Sequence, residues 1–200
     1  MPAKPMITVA DLDGTYVRGN TLHIYIRCGM AQMLRRLSFV KLMRTIGLLA
    51  LRRLHLVSHK AMKFGICGMI DPADSRLQCK FKTRVERLIN ADVRKALDKA
   101  DELLLATAAP DTYVPWIWDG AYVATAMENN PERIECRGEE KLRRIEKYVE
   151  YPALPGTLYT DHSDDIPLMK LHWEEVVLVS PSVETVRKVD GLGIRYRVIN

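Results

Sequence analysis

"DLDGT", residues 11–15, follows the short apolar run "MITVA", residues 6–10. The run has the length and character of a buried strand, and the glycine behind it supplies turn chemistry. Two carboxylates one residue apart at the end of such a strand are costly unless something uses them. A turn capped by aspartate is one use; a catalytic pair is another. The choice depends on what else the chain brings to the same place.

Beyond residue 100 the texture is an alternation. "ELLLATAAP" reads as a strand ending in small residues, "TYVPWIWDG" as a short helix or turn, and "AYVATAME" as a strand. "GEEKLRRIEKYVEY" reads as a helix with Glu139 and Glu140 well placed in its first turn. "TLYTDHSDD" is a strand running into an acidic loop, followed by the short helix "DIPLMKLH". The strand "EVVLVS", the helix "SVETVRKVDG" and the strand "IRYRVI" complete the series. Strands alternating with helices imply an α/β fold with a Rossmann-like parallel sheet. The first strand belongs with that sheet.

Residues from about 20 to 98 read instead as helical. Phe39, Leu42, Met43, Ile46, Leu49, Ala50, Leu54 and Val57 recur at three- and four-residue steps with basic residues between them. "CGMIDPADSR" reads as a break, with Asp71 or Asp74 near the start of the next helix, and a further helix begins at Asn90. The expected division is an α/β core of residues 1–17 and 99–200 and an inserted α-helical cap of residues 18–98. In open α/β sheets the ligand lies beyond the carboxyl ends of the strands, so an insertion leaving that edge hangs over the site.

The 200 residues suffice for one sizeable core. The chain's start has no apolar stretch of signal-peptide length, and the most apolar region, "LSFVKLMRTIGLLAL", is interrupted by Lys41 and Arg44. Cys28, Cys67, Cys79 and Cys136 are scattered and form no CxxC pair, as expected of free thiols in a reducing cytoplasm. Net charge is +5, unevenly spread. Between Gly14 and Ile70 there is no Asp or Glu, but ten Lys or Arg, at 18, 27, 35, 36, 41, 44, 52, 53, 60 and 63. That stretch is either a solvated basic helix surface or a face for an anionic partner. No aromatic-rich nucleic-acid motif accompanies the charge, so nucleic acid is not the expected partner. An anionic membrane surface is the alternative, which would make a cytoplasmic protein peripheral to the inner face of the membrane.

Placed by strand ends, Asp11 and Asp13 follow the first strand, Thr107 follows "ELLLA", and Asp161, Asp164 and Asp165 follow "TLYT". Lys141 lies in the helix before that last strand. If the strands are adjacent and parallel, these groups gather at one edge, and so many carboxylates there call for a cation. An all-oxygen set suits Mg²⁺, which keeps waters and takes substrate phosphate as well.

"DLDGT", "LLATAAP", "GEEK" and "YTDHSDDIPLM" stand in the order of the four motifs of the haloacid dehalogenase superfamily, and the chain resembles its phosphatase branch, near the phosphoserine-phosphatase-like subfamily. Within that branch, "GTYVRGNTL" followed by "LATAAPDTYVPWI" is most similar to hydrolases that include bacterial phosphatidylglycerophosphate phosphatases. The resemblance spans the whole chain and implies an HAD-like core and Mg²⁺-dependent hydrolysis of a phosphate monoester. By it, Asp11 is the nucleophile that forms an aspartyl-phosphate, and Asp13 protonates the leaving oxygen and then deprotonates water. The Asp11 carboxylate, the Asp13 carbonyl and the Asp161 carboxylate hold Mg²⁺. Thr107 and Lys141 bind the phosphoryl group, with backbone amides near Leu12 and Ala108. Asp165 holds Lys141 or a water on the metal. Where phosphoserine phosphatases carry a glutamate for the substrate amino group, the matching position is Asn20. With Arg18, Asn20 is the candidate for substrate choice, and phosphoserine is disfavoured. The expected partner is a small phosphorylated substrate; a phosphorylated lipid head group and a non-catalytic anion-binding module are the alternatives.

Overall fold

The computed structural model describes residues 6–149 and 155–200. Six parallel strands form one sheet: β1 (Ile7–Ala10), β2 (Glu102–Pro110), β3 (Ala121–Thr125), β4 (Pro155–Thr160), β5 (Glu175–Val179) and β6 (Arg197–Ile199). Their order is β3-β2-β1-β4-β5-β6. The chain builds outward on one side of β1, then returns and builds outward on the other. The crevice of such a sheet opens at the carboxyl ends of β1 and β4, where the direction of building reverses.

Successive strand residues face opposite sides, and both sides are covered, which is why the strands read as continuous apolar runs. Ile7, Val9, Leu104, Leu158 and Leu178 pack on one face with Ile145, Leu168 and Val189. These last three come from α6 (Glu139–Val149), α7 (Ile166–Met169) and α8 (Val183–Asp190). Ala10, Leu105, Tyr159 and Val177 face the other way, into a cluster shared with the helices between β1 and β2. Those helices are α1 (Thr21–Arg35), α2 (Phe39–Arg53), α3 (His59–Cys67), α4 (Ser75–Glu86) and α5 (Ala91–Leu97).

Capping residues set the starts of these helices. Asn20, Ser58, Asp74 and Asn90 each accept a hydrogen bond from a backbone N–H of the first turn of α1, α3, α4 and α5. Arg36 pairs with Asp71 at 2.6 Å, and both Arg35 and Arg36 reach Asp74, tying the end of α1 to the break before α4. An aromatic group joins the insertion to the core: Tyr25 and Phe81 lie 4.8 and 4.9 Å from Tyr113, ring to ring, in the segment after β2.

One periodic run differs from its sequence reading. The apolar series from Phe39 to Val57 predicts continuous helix, but α2 ends at Arg53 and Val57 lies in a turn. His55 there has φ 59°, and Ser58 starts α3 by accepting from the Ala61 N–H. The four cysteines are free thiols as expected, Cys79 exposed and the others buried. No helix among the described residues is long and apolar enough to cross a membrane.

Candidate active site

Strand register carries the acidic residues to one level. Ala10 aligns with Leu105 of β2 and Tyr159 of β4, and the Asp11 N–H donates to the Tyr159 carbonyl at 2.9 Å. Asp11, Thr107 and Asp161 therefore lie within two residues of a common edge. There a cleft of about 410 Å³ is lined by Asp11, Asp13, Thr107, Lys141, Asp161 and Asp165, among others. Gly14 explains how tightly the first loop closes. Its φ is 82°, and a Cβ there would meet the Asp161 carboxylate at 2.1 Å. Only glycine lets the backbone after Asp13 approach Asp161 so closely.

Lys141 reaches in from the first turns of α6. Its ammonium donates to Asp11 Oδ1 and Asp165 Oδ2, each at 2.9 Å, and lies 2.7 Å from Asp165 Oδ1. Thr160 donates to Asp165 Oδ2 at 2.7 Å, which fixes that carboxylate from the end of β4. One buried cation thus serves two carboxylates. Burial pushes the Asp11 carboxyl up to about 7, against the attraction of Lys141 and with the help of Asp165 and Asp161. Burial likewise raises Asp161 to about 6. Burial alone would lower Lys141, but the two aspartates outweigh it and hold the ammonium charged.

Asp13 is held differently. Its Oδ1 accepts the Thr21 N–H at 2.7 Å, at the start of α1, and the Thr21 hydroxyl lies 3.1 Å from the Tyr113 hydroxyl. Burial still raises the Asp13 carboxyl above its ordinary range, Thr21 notwithstanding. Thr107 is buried, and its hydroxyl accepts the Ala109 N–H at 3.0 Å. Ala108 lines the cleft, and its carbonyl accepts from Thr125 Oγ1 and Lys63 Nζ, both at 2.7 Å.

Of the two candidates for substrate choice, the structure places Asn20 in the cleft and Arg18 away from it. Arg18 does not line the cleft: it is 57% exposed, donates to Asn90 Oδ1 at 3.1 Å and lies 3.8 Å from Asp92. The cause is local, since the Arg18 N–H bonds the Leu88 carbonyl at 2.7 Å and carries the residue toward the start of α5. Asn20 does line the cleft, but its side-chain oxygen is engaged in capping α1, accepting the His23 N–H at 3.1 Å. Leu12 is fully buried in the core and does not line the cleft. His162 and Asp164 serve the loop: His162 Nδ1 accepts the Asp164 N–H at 3.1 Å, and the Asp164 carboxylate pairs with Arg137.

Sequence reasoning missed the far wall of the cleft. Arg52 of α2, His59 and Lys63 of α3, and Glu135 and Arg137 of the segment before α6 all line it. Lys63 is buried and ion-pairs with Glu135, so this contact joins the insertion to the core across the cleft. Among the described residues no carboxylate pairs with Arg52. Burial lowers the His59 imidazole, and Lys63, Arg52 and Arg137 reinforce the shift against Glu135. Glu135 and Arg137 could have been found by topology, because the segment leaving β3 emerges at the carboxyl edge. Lys63 and Arg52 carried no local signal.

Among the described residues no three His, Cys, Asp or Glu side chains form a ready-made metal cluster. The set offered is two carboxylates, Asp11 and Asp161, with the backbone after Asp13 pressed against Asp161. That incomplete, all-oxygen set fits Mg²⁺, which binds one or two carboxylates and fills its remaining positions with water and phosphate.

A parallel α/β sheet of this order gathers acidic residues and the buried Lys141 at its switch point, an arrangement that by itself defines a fold class rather than one enzyme. The model of the haloacid dehalogenase-like hydrolases matches residues 8–170, and the chain belongs to that family. Comparison with curated protein sequences gives no match. Among solved structures, a Bordetella pertussis Tohama I protein of unknown function superposes with TM-score 0.74 at 17% identity, covering 99% of each chain. A phosphoserine phosphohydrolase-like protein from Francisella tularensis gives 0.53 at 11%, covering 97% of this chain and 94% of the other. A substrate-bound phosphoserine phosphatase gives 0.53 at 13%, covering 98% and 93%. Each superposition shows a shared fold.

Proposed function

We propose that the protein is a Mg²⁺-dependent phosphatase that hydrolyses a phosphate monoester through an aspartyl-phosphate on Asp11, with the helical insertion choosing the substrate. The observation that carries this reading is the different setting of two aspartates two residues apart. Asp11 lies against the buried Lys141 ammonium, while Asp13 is held apart by the Thr21 N–H with its carboxyl raised by burial.

The roles follow from that difference. An Asp11 carboxylate oxygen attacks phosphorus, forming a P–O bond as the ester P–O bond breaks. Asp13, protonated, gives its proton to the departing alkoxide oxygen. Asp13, now a carboxylate, takes a proton from water, whose oxygen attacks phosphorus and breaks the bond to Asp11. Lys141 and Thr107 stabilise the charge that develops on the phosphoryl oxygens. Asp165, fixed by Thr160, keeps Lys141 in position. Asp11, the Asp13 carbonyl and Asp161 would hold Mg²⁺, which when bound offsets the repulsion between Asp11 and an anionic substrate.

The far wall supports an anionic rather than an ammonium-bearing substrate. Its one insertion-facing carboxylate, Glu135, is taken by Lys63, while Arg52 has no such partner. The test is phosphate release from p-nitrophenyl phosphate and a panel of natural esters, with and without Mg²⁺, by wild type and Asp11→Asn. The reading expects turnover that needs Mg²⁺ and Asp11. Equal rates for wild type and Asp11→Asn across the panel would overturn it.

A further inference from the structure

Helix α2 presents an apolar face to solvent. Its one buried residue is Thr45, whose hydroxyl donates to Met33 Sδ at 3.5 Å. At 3.6 residues per turn, Phe39, Met43, Ile46, Ala50 and Leu54 fall on the side away from Thr45. Phe39, Met43 and Leu54 are 56%, 62% and 66% exposed. A Cβ added to Gly47, on the same side, would meet nothing within 4 Å. Leu37, Val40 and Leu56 extend the patch at both ends of the helix, each about 70% exposed. Single exposed apolar residues are ordinary, but a contiguous apolar face marks an interaction surface.

Charge selects the partner. Of the ten basic residues between Gly14 and Ile70, Arg18, Arg35, Arg36 and Lys63 have carboxylate partners. Among the described residues the other six have none, and five of them, Lys41, Arg44, Arg52, Arg53 and Lys60, lie on α2 or at the start of α3. On the same helical count Arg44 and Arg53 border the apolar face, Lys41 and Arg52 fall on the Thr45 side, and α2 carries no carboxylate. A second copy would bring like charges together across it. A nucleic acid would meet apolar side chains where it needs phosphate contacts.

We propose that the outer face of α2 is a docking surface for an anionic lipid bilayer. Apolar side chains enter the boundary between head groups and acyl chains while flanking Lys and Arg meet the lipid charges, the arrangement of an interfacial amphipathic helix. Arg52 leaves α2 on the Thr45 side and His59 begins α3, and both line the catalytic cleft. The docking face is therefore the side of α2 turned away from the cleft. The proposal does not depend on the phosphatase reading.

The experiment is co-sedimentation with vesicles of phosphatidylcholine alone and of equal parts phosphatidylcholine and phosphatidylserine, at about 0.1 M salt. Wild type is expected to partition onto the anionic vesicles about tenfold or more over the neutral ones, with the excess lost at about 1 M salt. Met43→Glu/Ile46→Glu is expected to abolish binding with an unchanged unfolding temperature. Should that variant not fold, Arg44→Glu/Arg53→Glu is expected to remove the preference for anionic vesicles. Wild type remaining in the supernatant, equal binding to both vesicles, or a folded double variant that binds as wild type would each overturn the proposal. So would a wild-type dimer that ignores vesicles and is dispersed by Met43→Glu/Ile46→Glu.

Discussion

The carboxyl edge of the sheet and the outer face of α2 handle unfavourable groups in opposite ways. At the edge, buried charges are compensated: Lys141 serves Asp11 and Asp165, Thr160 braces Asp165, and the Thr21 N–H meets Asp13. On α2, apolar side chains stand exposed and nothing among the described residues covers them. The first arrangement is closed and has a chemistry to perform inside it. The second is open, and under the docking proposal something outside the chain covers it. Substitutions should therefore change both stability and the reaction at the edge, but leave both nearly untouched on α2.

The largest expected effect is at Asp11. Asp11→Asn should lower phosphate release by about 10³-fold or more, as expected when a nucleophile is lost. Its effect on stability should have the opposite sign. Because burial raises the folded-state carboxyl to about 7 from 3.8, ionising it costs the metal-free fold stability as pH rises through that interval. The asparagine escapes that cost. The unfolding temperature of Asp11→Asn minus that of wild type, measured without Mg²⁺, should rise from pH 5 to pH 8.

Lys141→Ala comes next. It leaves two buried carboxylates facing each other, and removing one partner of a buried pair costs about 3–5 kcal/mol. Chemical denaturation should show that loss, larger at pH 8 than at pH 5, together with a fall in turnover of about 10²-fold. Across the cleft, Arg52→Ala should raise KM about tenfold for an anionic ester with little change in kcat, since Arg52 lies beyond the reacting groups. The smallest effect belongs to the outer face. Met43→Ser should change stability by no more than about 0.5 kcal/mol and leave turnover of a soluble ester unchanged. A large loss there would mean that α2 is buried against something and that the contrast drawn here is false.

The sequence was most legible where chemistry and local pattern coincide. "DLDGT" and "YTDHSDD" place their aspartates at strand ends, and parallel register does the rest. Asp74 and Asn90 announce helix starts because a cap is a contact between near neighbours. The periodic apolar residues of α2 predicted a helix but not its orientation. Periodicity marks one apolar side without telling whether protein or solvent lies against it. The Lys63–Glu135 ion pair joins distant segments through tertiary packing, so no window of sequence contains it. Arg18 misled for the converse reason: it follows the catalytic loop in sequence, yet a backbone bond to Leu88 turns it away from the cleft.

Turnover by the proposed route requires Asp11 to take the phosphoryl group. The direct measurement is mass spectrometry of the Asp11 peptide after turnover of a hydrolysed ester is quenched in acid. A mass increase of one phosphoryl group on Asp11 in wild type, absent from Asp11→Asn, is the predicted result. Steady phosphate release with Asp11 unmodified, and undiminished in Asp11→Asn, would contradict it.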